Sequence, residues 1–574
     1  MNSPEISRFH YWKQWLLLIA LTLLVSVPGL SNLPVIDRDE ARFTQASVQM
    51  AESGDFINIR FQDEARNKKP AGIYWLQTGA IKTFGKTGER AIWAQRLPSV
   101  LGALIAVLAT YWGAARMIGR RGAFIAASML ALSALMIFEA HIAKTDAMLC
   151  GLGAACLASL AHIRHGGRKS ASWVFWVALG ASIMIKGPVV PILVLLTIMS
   201  LAIWERRNQW IKGLLNWPAI LVFFLIWVPW SIMMWIATNG AFFAESLGKD
   251  FSGKLISAQE KHPGPPGYYF GTIWITFWPA CLLLIPGFAF AFRAVKHNKH
   301  SDAPVVKAMR LCLAWIIPYW VLVEIMPTKL PHYVLPLFPA LCIIASAAAL
   351  TLLSVDEFKV TRRINSVIYL IISTALIGVI MGASGYFGDV QNVYYIIGML
   401  SGFAAIVATF CLWRGNMKLS LITGALSTII LTIPTYSLIL PNLNQLRPSD
   451  KLVQLFEQKN ILLPREGGPP VASPDFTEPS LVYHLGTDID VSGKTDLLDM
   501  EALKKGRVVI LDQKKKKAVE RLALLKIKAI EEDICTDTSE TLKSYNYSKG
   551  DPIELIIFRA IPCPEVITNE TPDG

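Results

Sequence analysis

The chain has 574 residues, 53% of them hydrophobic and 17% charged, with a formal net charge of +13. Soluble domains carry about 25% charged residues, so a soluble enzyme and a disordered chain are both excluded. Nineteen basic residues fall in six alternate short loops between apolar runs, a mark of membrane topology, and this excludes a nucleic-acid-binding protein.

Apolar runs long enough to span a bilayer predict thirteen membrane helices, at about 12–31, 97–117, 122–138, 146–163, 173–186, 189–204, 217–236, 268–292, 309–325, 333–353, 365–385, 393–413 and 418–440. The fold class expected is a mainly α, polytopic membrane protein followed by a small α/β C-terminal domain. Alternate short loops are basic. They carry Arg116, Arg120 and Arg121, then Arg164, then Arg206 and Lys212, then Lys296, Lys307 and Arg310, then Arg362 and Arg363, then Arg414 and Lys418. The positive-inside rule makes these loops, and the N-terminus, cytoplasmic. The longer loops 32–96 and 237–267 and the tail 441–574 are then expected outside. The first apolar run lacks a small-residue cleavage site and reads as an uncleaved span.

In chain order, the first outer loop opens with IDRDEARFTQASVQMAESGDF, residues 36–56. Its apolar spacing predicts an amphipathic helix on the membrane surface. Asp39 and Glu40 stand at the helix start, where carboxylates favour the helix dipole, with Arg42 close by. They read either as a capped helix start or as a carboxylate pair at the mouth of a membrane cavity. NKKPAGIYW, residues 67–75, follows. Lys68 or Lys69 can hold a phosphate as a point charge, or the segment is an interfacial anchor through Tyr74 and Trp75. Asp146 opens a span after Thr145, as a helix cap or a catalytic group. Lys186 interrupts an outer turn in IKGP, residues 185–188. MPTKLPHYVLPLFP, residues 326–339, sets Lys329, His332 and Tyr333 among four prolines, which preclude a regular helix there. Backbone released at that depth must line a cavity or sit in protein. Together Asp39, Glu40, Arg42, Lys69, Asp146, Lys186, Lys329 and Tyr333 are expected at one membrane face. Carboxylates beside cations suit a phosphate leaving group next to an attacking acceptor.

The tail alternates helical patterns at 450–460 and 518–530 with strand-like runs at Ser480–Leu485, Arg507–Leu511 and Glu554–Phe558, which predicts a small α/β domain. Six of the eight cysteines lie in or beside apolar runs; Cys535 and Cys563 lie in the tail, where an oxidising compartment permits a disulfide. No Cys/His pair stands at zinc spacing, and no metal or other cofactor is expected.

The order of these motifs is that of a family. Asp-Glu-x-Arg in a first outer loop, Lys-Pro before Tyr-Trp, an Asp opening a later span, Lys-Gly-Pro, then Lys-Leu-Pro-x-Tyr-x-x-Pro resembles the aminoarabinose transferase and protein O-mannosyltransferase superfamily of GT-C integral membrane glycosyltransferases. The resemblance covers residues about 10 to 440. It implies a catalytic transmembrane domain over 1–440 and sugar transfer from a polyprenyl-phosphate donor to an extracytoplasmic glycolipid such as lipid A, in a bacterial inner membrane. By the same match Asp39 would be the catalytic carboxylate, with Glu40 and Arg42 in its motif and Asp146 the second carboxylate near the sugar. Lys69 and Tyr333 would contact the lipid-linked phosphate, with Lys186 and Lys329 as further cations. Two positions depart from the aminoarabinose transferase pattern: Lys68 stands where those enzymes place Glu, and Pro263 follows His262. A secondary transporter is the alternative, but its ionisable residues would gather at the midplane of the membrane. A scaffold serving the tail would leave residues 37–42 and 67–75 without a role.

Overall fold

A computed structural model describes the chain except residues 1–10, 86–89, 167–169, 207–208, 252, 254–263, 299–300, 353–357, 390, 494–495, 548–549, 562 and 564–574. His262 and Pro263, singled out above, lie outside the described residues. The chain is mainly helical, with a small sheet near its end.

The first helix, α1 (Tyr11–Ser26), leads into the outer segment. There α2 (Asp39–Ser53), the short antiparallel pair β1 (Arg60–Phe61) and β2 (Glu64–Ala65), and α3 (Gly72–Phe84) follow one another. Next come α4 (Ile92–Ala131), α5 (Ala134–Ala140), α6 (Asp146–Arg164), α7 (Ser170–Lys186), α8 (Val189–Glu205) and α9 (Trp217–Thr238). Later long helices span Pro304–Ile325, Lys359–Phe387, Asn392–Arg414 and Met417–Pro434.

By length and composition, nine helices among the described residues qualify as membrane spans, where thirteen were expected. The difference has physical causes. Three apolar helices, Trp12–Ser26, Ser170–Lys186 and Val189–Glu205, are shorter than 18 residues. The helix Ile92–Ala131 counts once at 40 residues, yet Gly119 breaks it with φ 78°. At 1.5 Å per residue its full length is about 60 Å, twice a hydrocarbon core.

Small residues let the central helices approach closely. A Cβ on Gly102 of α4 would stand 2.4 Å from the Met148 backbone of α6, and one on Gly113 would stand 2.7 Å from Ala158. On the α6 side, a Cβ on Gly151 would lie 2.5 Å from the Gly102 carbonyl oxygen. Membrane helices associate through such small-residue contacts because no hydrophobic drive acts between them in lipid. The same contacts fix the start of α6, and with it Asp146.

The sheet near the chain end contains β3 (Val471–Ala472), β4 (Val508–Asp512), β5 (Cys535–Thr538), β6 (Leu542–Asn546) and β7 (Asp551–Ile561). β3 and β4 are parallel; β7 pairs antiparallel with β4, β5 and β6 along its length. The runs at 507–511 and 554–558 are strands as expected. Residues 480–485 are not: they form the helix Pro479–Leu485. Proline at the first helical turn suits a helix start, and Leu481, Val482 and Leu485 of that helix are fully buried. Cys535 and Cys563 form a disulfide that ties β5 to the end of β7.

The amphipathic helix at 39–53 is present, but it does not lie bare on a membrane surface. Nine of its residues are buried, between α3 and the helix Pro479–Leu485. Gln45 Nε2 donates to Thr487 Oγ1 at 2.9 Å, and Gln62 Nε2 donates to the carbonyl oxygens of Thr487 and Ile489 at 2.9 and 2.7 Å. Arg90 Nη1 donates to the Tyr483 carbonyl oxygen, and Tyr483 Oη donates back to that of Arg90 at 2.8 Å.

Candidate active site

Of the residues flagged on the outer loops, Lys69, Asp146, Lys186 and Tyr333 line a pair of apolar cavities. Glu40 and Lys329 hold the backbone beside them, and Asp39 and Arg42 are in neither lining.

Asp39 opens α2, directly after Arg38, whose φ of 67° is costly for a residue with a side chain. Asp39 is solvent-exposed. Burial by surrounding protein pushes its carboxyl toward the neutral form, but Lys144, Arg66, His332 and Lys186 outweigh that and hold its pKa below the usual carboxylate value. Asp146, first residue of α6, is 3% exposed. Its Oδ1 accepts from Lys186 Nζ at 2.5 Å, and its Oδ2 lies 3.6 Å from Lys144 Nζ. Lys186 Nζ also stands over the Tyr333 ring, 5.8 Å from its centre. The structure thus brings Asp146, Lys186 and Tyr333 together, from α6, the end of α7, and the proline-rich 3₁₀ turn Pro331–Leu337.

Two cavities meet at Lys69 and Lys186. One, of about 200 Å³, has Asp146, His332, Tyr333 and Tyr319 on its polar side and Leu149, Ile192 and Val323 among its apolar walls. The other, of about 230 Å³, is walled by Trp227, Trp230 and Phe242, with Lys68 at its rim. Each is largely apolar and carries ammonium groups at one edge. That combination suits an amphiphile whose anionic head sits at the lysines and whose chain runs into hydrocarbon.

Glu40, expected to be catalytic, lines neither cavity and is engaged in a buried ion pair. It is 1% exposed. Its Oε1 accepts from Arg96 Nε at 2.9 Å and from the Ala143 N–H at 2.8 Å; its Oε2 accepts from Arg96 Nη2 at 3.0 Å and the Ile36 N–H at 2.8 Å. Arg96, itself 0% exposed, also donates to the carbonyl oxygens of Leu30, Leu33 and Pro34 at 2.7, 2.6 and 2.8 Å. A buried ion pair is tolerated when its remaining hydrogen-bonding capacity is met in this way. Here it clamps the loop before Asp39 to the segment that carries Lys144 and Asp146.

Lys329, expected to bind substrate, is in neither cavity lining. It is buried, and its ammonium donates to the Glu324 carbonyl oxygen and, at 2.8 Å, to that of Met326, at the end of the helix Pro304–Ile325. This is a C-terminal cap, favoured by the helix dipole. Arg42 lies half-buried one turn beyond Asp39 and lines neither cavity.

Three side chains complete the cluster that sequence reasoning did not place in it. Glu139, at the end of α5, is 1% exposed, and neither carboxylate oxygen has a hydrogen-bond partner among the described residues. Lys144 Nζ is 3.6 Å from its Oε1 and His332 Nδ1 is 3.8 Å away. His332 Nε2 faces Asp146 Oδ1, also at 3.8 Å. Burial, with the Asp146 charge against the pull of Lys144, pushes the Glu139 pKa up to about 7. Burial lowers the Lys144 pKa, yet Glu139, Asp146 and Asp39 together raise it above its ordinary value. The available signal was a charged residue closing an apolar run, seven positions before Asp146. Among the described residues, Glu139, Asp146 and His332 form a group with metal-ligand spacing, their ligand atoms within 4.8 Å of one another. In the structure the Lys144 ammonium lies against both carboxylates of that group.

With this geometry in hand, the chain can be set beside known proteins. A family model described as dolichyl-phosphate-mannose-protein mannosyltransferase matches residues 16–239. The chain is 24% identical over 405 residues to an undecaprenyl phosphate-alpha-4-amino-4-deoxy-L-arabinose arabinosyl transferase of Yersinia pestis, covering 66% of this chain and 68% of that protein. It is 25% identical over 336 residues to a protein of the same name from Pseudomonas paraeruginosa, covering 58% of each. In fold it is similar to ArnT from Cupriavidus metallidurans bound to undecaprenyl phosphate, with a TM-score of 0.72 at 17% identity over 97% of this chain and 100% of that one. The apo state of the same protein gives 0.69 at 18% identity. The likeness read from the motifs extends to the fold, which is that of the Cupriavidus metallidurans protein.

Proposed function

We propose that this glycosyltransferase moves a sugar from a polyprenyl-phosphate donor to an extracytoplasmic glycolipid, with lipid A the leading acceptor. The observation that carries the reading is a pair of apolar cavities that share Lys69 and Lys186 at their polar edge, one of them lined by the Asp146 carboxylate. The catalytic part corresponds to residues 1–440 and the extracytoplasmic α/β part to 441–574. The N-terminus is cytoplasmic and the C-terminal part periplasmic, since the basic short loops lie on the other face. A transporter is not favoured, because the ionisable cluster lies at helix ends and outer loops instead of at a midplane site.

The donor's chain occupies an apolar cavity and its phosphate meets Lys69 and Lys186, with Tyr333 beside them. An acceptor oxygen attacks the anomeric carbon, the bond from that carbon to the phosphate oxygen breaks, and polyprenyl phosphate leaves. The two ammonium groups stabilise the charge that develops on the phosphate at a boundary of falling dielectric. Asp39, ionised and open to solvent, receives the acceptor's proton or orients an acceptor that is already ionised. Asp146 holds Lys186 in place and lies next to the sugar. Glu40 and Lys329 are positioning residues, acting through the clamp and the helix cap.

The test is a transfer assay in defined membranes. Asp39→Asn abolishes turnover and leaves binding of the polyprenyl phosphate intact, whereas Lys69→Ala weakens that binding by tenfold or more. Near-normal transfer by Asp39→Asn overturns the assignment and moves it to Asp146.

A further inference from the structure

The helix α6 ends far from the cluster that its first residue serves. Asp146 and Arg164 are 18 residues apart, a rise of about 27 Å, so they lie at opposite faces of a bilayer. At the Arg164 end the structure opens a groove of about 1150 Å³. Five cationic side chains line it, Arg164, Arg206, Lys296, Lys307 and Arg310, against the carboxylates of Glu205 and Asp302.

The charges do not cancel. Glu205 is shared by two guanidiniums, those of Arg164 and, at 3.8 Å, Arg310. Asp302 pairs with Lys307 at 3.4 Å. Arg206 and Lys296 have no carboxylate partner among the described residues, and both are exposed to the groove. Setting topology requires only that basic residues lie on one side of the membrane; it does not require a recess. Here Arg164 and Arg310 are 8% and 6% exposed. Backbone oxygens hold them in place: Lys307 accepts from Arg164 at 3.0 Å and Asn298 accepts from Arg310 at 2.9 Å. Trp204 and Phe292, also in the lining, expose 44% and 51% of their surfaces, as aromatic residues do at a headgroup boundary. A cationic recess with apolar residues at a membrane edge matches an amphiphile with a phosphate head.

We propose that this groove binds the phosphate headgroup of an anionic phospholipid, at the membrane face opposite the transfer site. Arg206 and Lys296 supply the charge that the lipid neutralises, while Arg164 and Arg310 form the floor. The site is separate from the cavities at Lys69 and Lys186 and does not depend on the sugar-transfer reading.

The experiment uses the full chain in nanodiscs of phosphatidylcholine doped with phosphatidylglycerol, followed by native mass spectrometry of retained lipid. The wild-type protein retains phosphatidylglycerol over phosphatidylcholine by about 25-fold, from two uncompensated cations. Each lost cation lowers that preference about fivefold, so Arg206→Ala with Lys296→Ala brings it close to parity, and Lys296→Arg keeps it. Millimolar inorganic phosphate leaves the retained lipid in place. Equal preference in wild-type and doubly substituted protein overturns the proposal. Displacement by inorganic phosphate overturns the lipid as its source, since a soluble phosphate ligand then fills the groove.

Discussion

Asp39 stays ionised from pH 5 to 8 because the cations around it outweigh the desolvation by neighbouring protein. Its titration therefore places no limb on the rate profile in that range. Glu139, pushed up to about 7 by burial, does titrate there, and it shares Lys144 with Asp146 and the field of Asp39. An inflection near pH 7 in the transfer rate, removed by Glu139→Gln, is the expected outcome; an unchanged inflection in that variant assigns it to another group. These roles were only partly legible in the chain. Asp39 and Glu40 are neighbours with the same chemistry, and adjacent helical positions point about 100° apart. Which one faces solvent depends on Arg96, 56 positions later, and no local pattern reveals that partner. The bonding of Lys329 was hidden for a similar reason. Its carbonyl partners lie three to six residues back, at a helix end whose position the prolines obscure.

Among the elements, the long helices were legible because burial in lipid demands an unbroken apolar run. Residues 480–485 were not, since a six-residue apolar run suits either a strand or a buried helix; packing against α2 and the proline before it decide. The contact between α4 and α6 gives a sharper test. Gly102 touches the backbone at Ala147 and Met148, so a larger side chain there pushes the start of α6 away and takes Asp146 with it. Gly102→Val lowers the transfer rate at least tenfold through geometry alone. Gly79→Ala, at a position with nothing within 4 Å, leaves the rate unchanged. Transfer assays on detergent-purified variants with matched thermal midpoints separate displacement from unfolding.

For the whole molecule, the contact between the outer loop and the last part of the chain carries two predictions. Asp37 Oδ1 accepts from the Ser480 N–H at 2.9 Å, and the Asp37 N–H donates to Tyr547 Oη. Burial pushes the Asp37 pKa up to about 6; hydrogen bonding from Ser480 opposes this and the Glu478 charge adds to it. The folded state then holds a proton that the unfolded state releases between pH 4 and 6. Stability is fully present below about pH 4 and falls as pH rises through 6, by on the order of 3 kcal/mol. Asp37→Asn flattens that fall, measured as the thermal midpoint from pH 4 to 8; an equal slope in the variant rejects the assignment. The disulfide closes a loop of 28 residues, worth about 3 kcal/mol through the unfolded chain. Cys535→Ser should therefore raise hydrogen exchange in β5 and at the end of β7, and leave α4 and α6 unaffected.

The bond between Asp37 and Ser480 also constrains how the polypeptide is threaded. Two residues that touch outside the bilayer lie on the same side of it, so the chain between them crosses an even number of times. All nine helices that meet the length criterion among the described residues lie in that interval, and nine is odd. The short apolar helices α7 and α8 and the break at Gly119 offer the further passage that an even count requires. An insertion or deletion that adds or removes a single crossing in this stretch would strand the sheet on the wrong side, out of reach of Asp37.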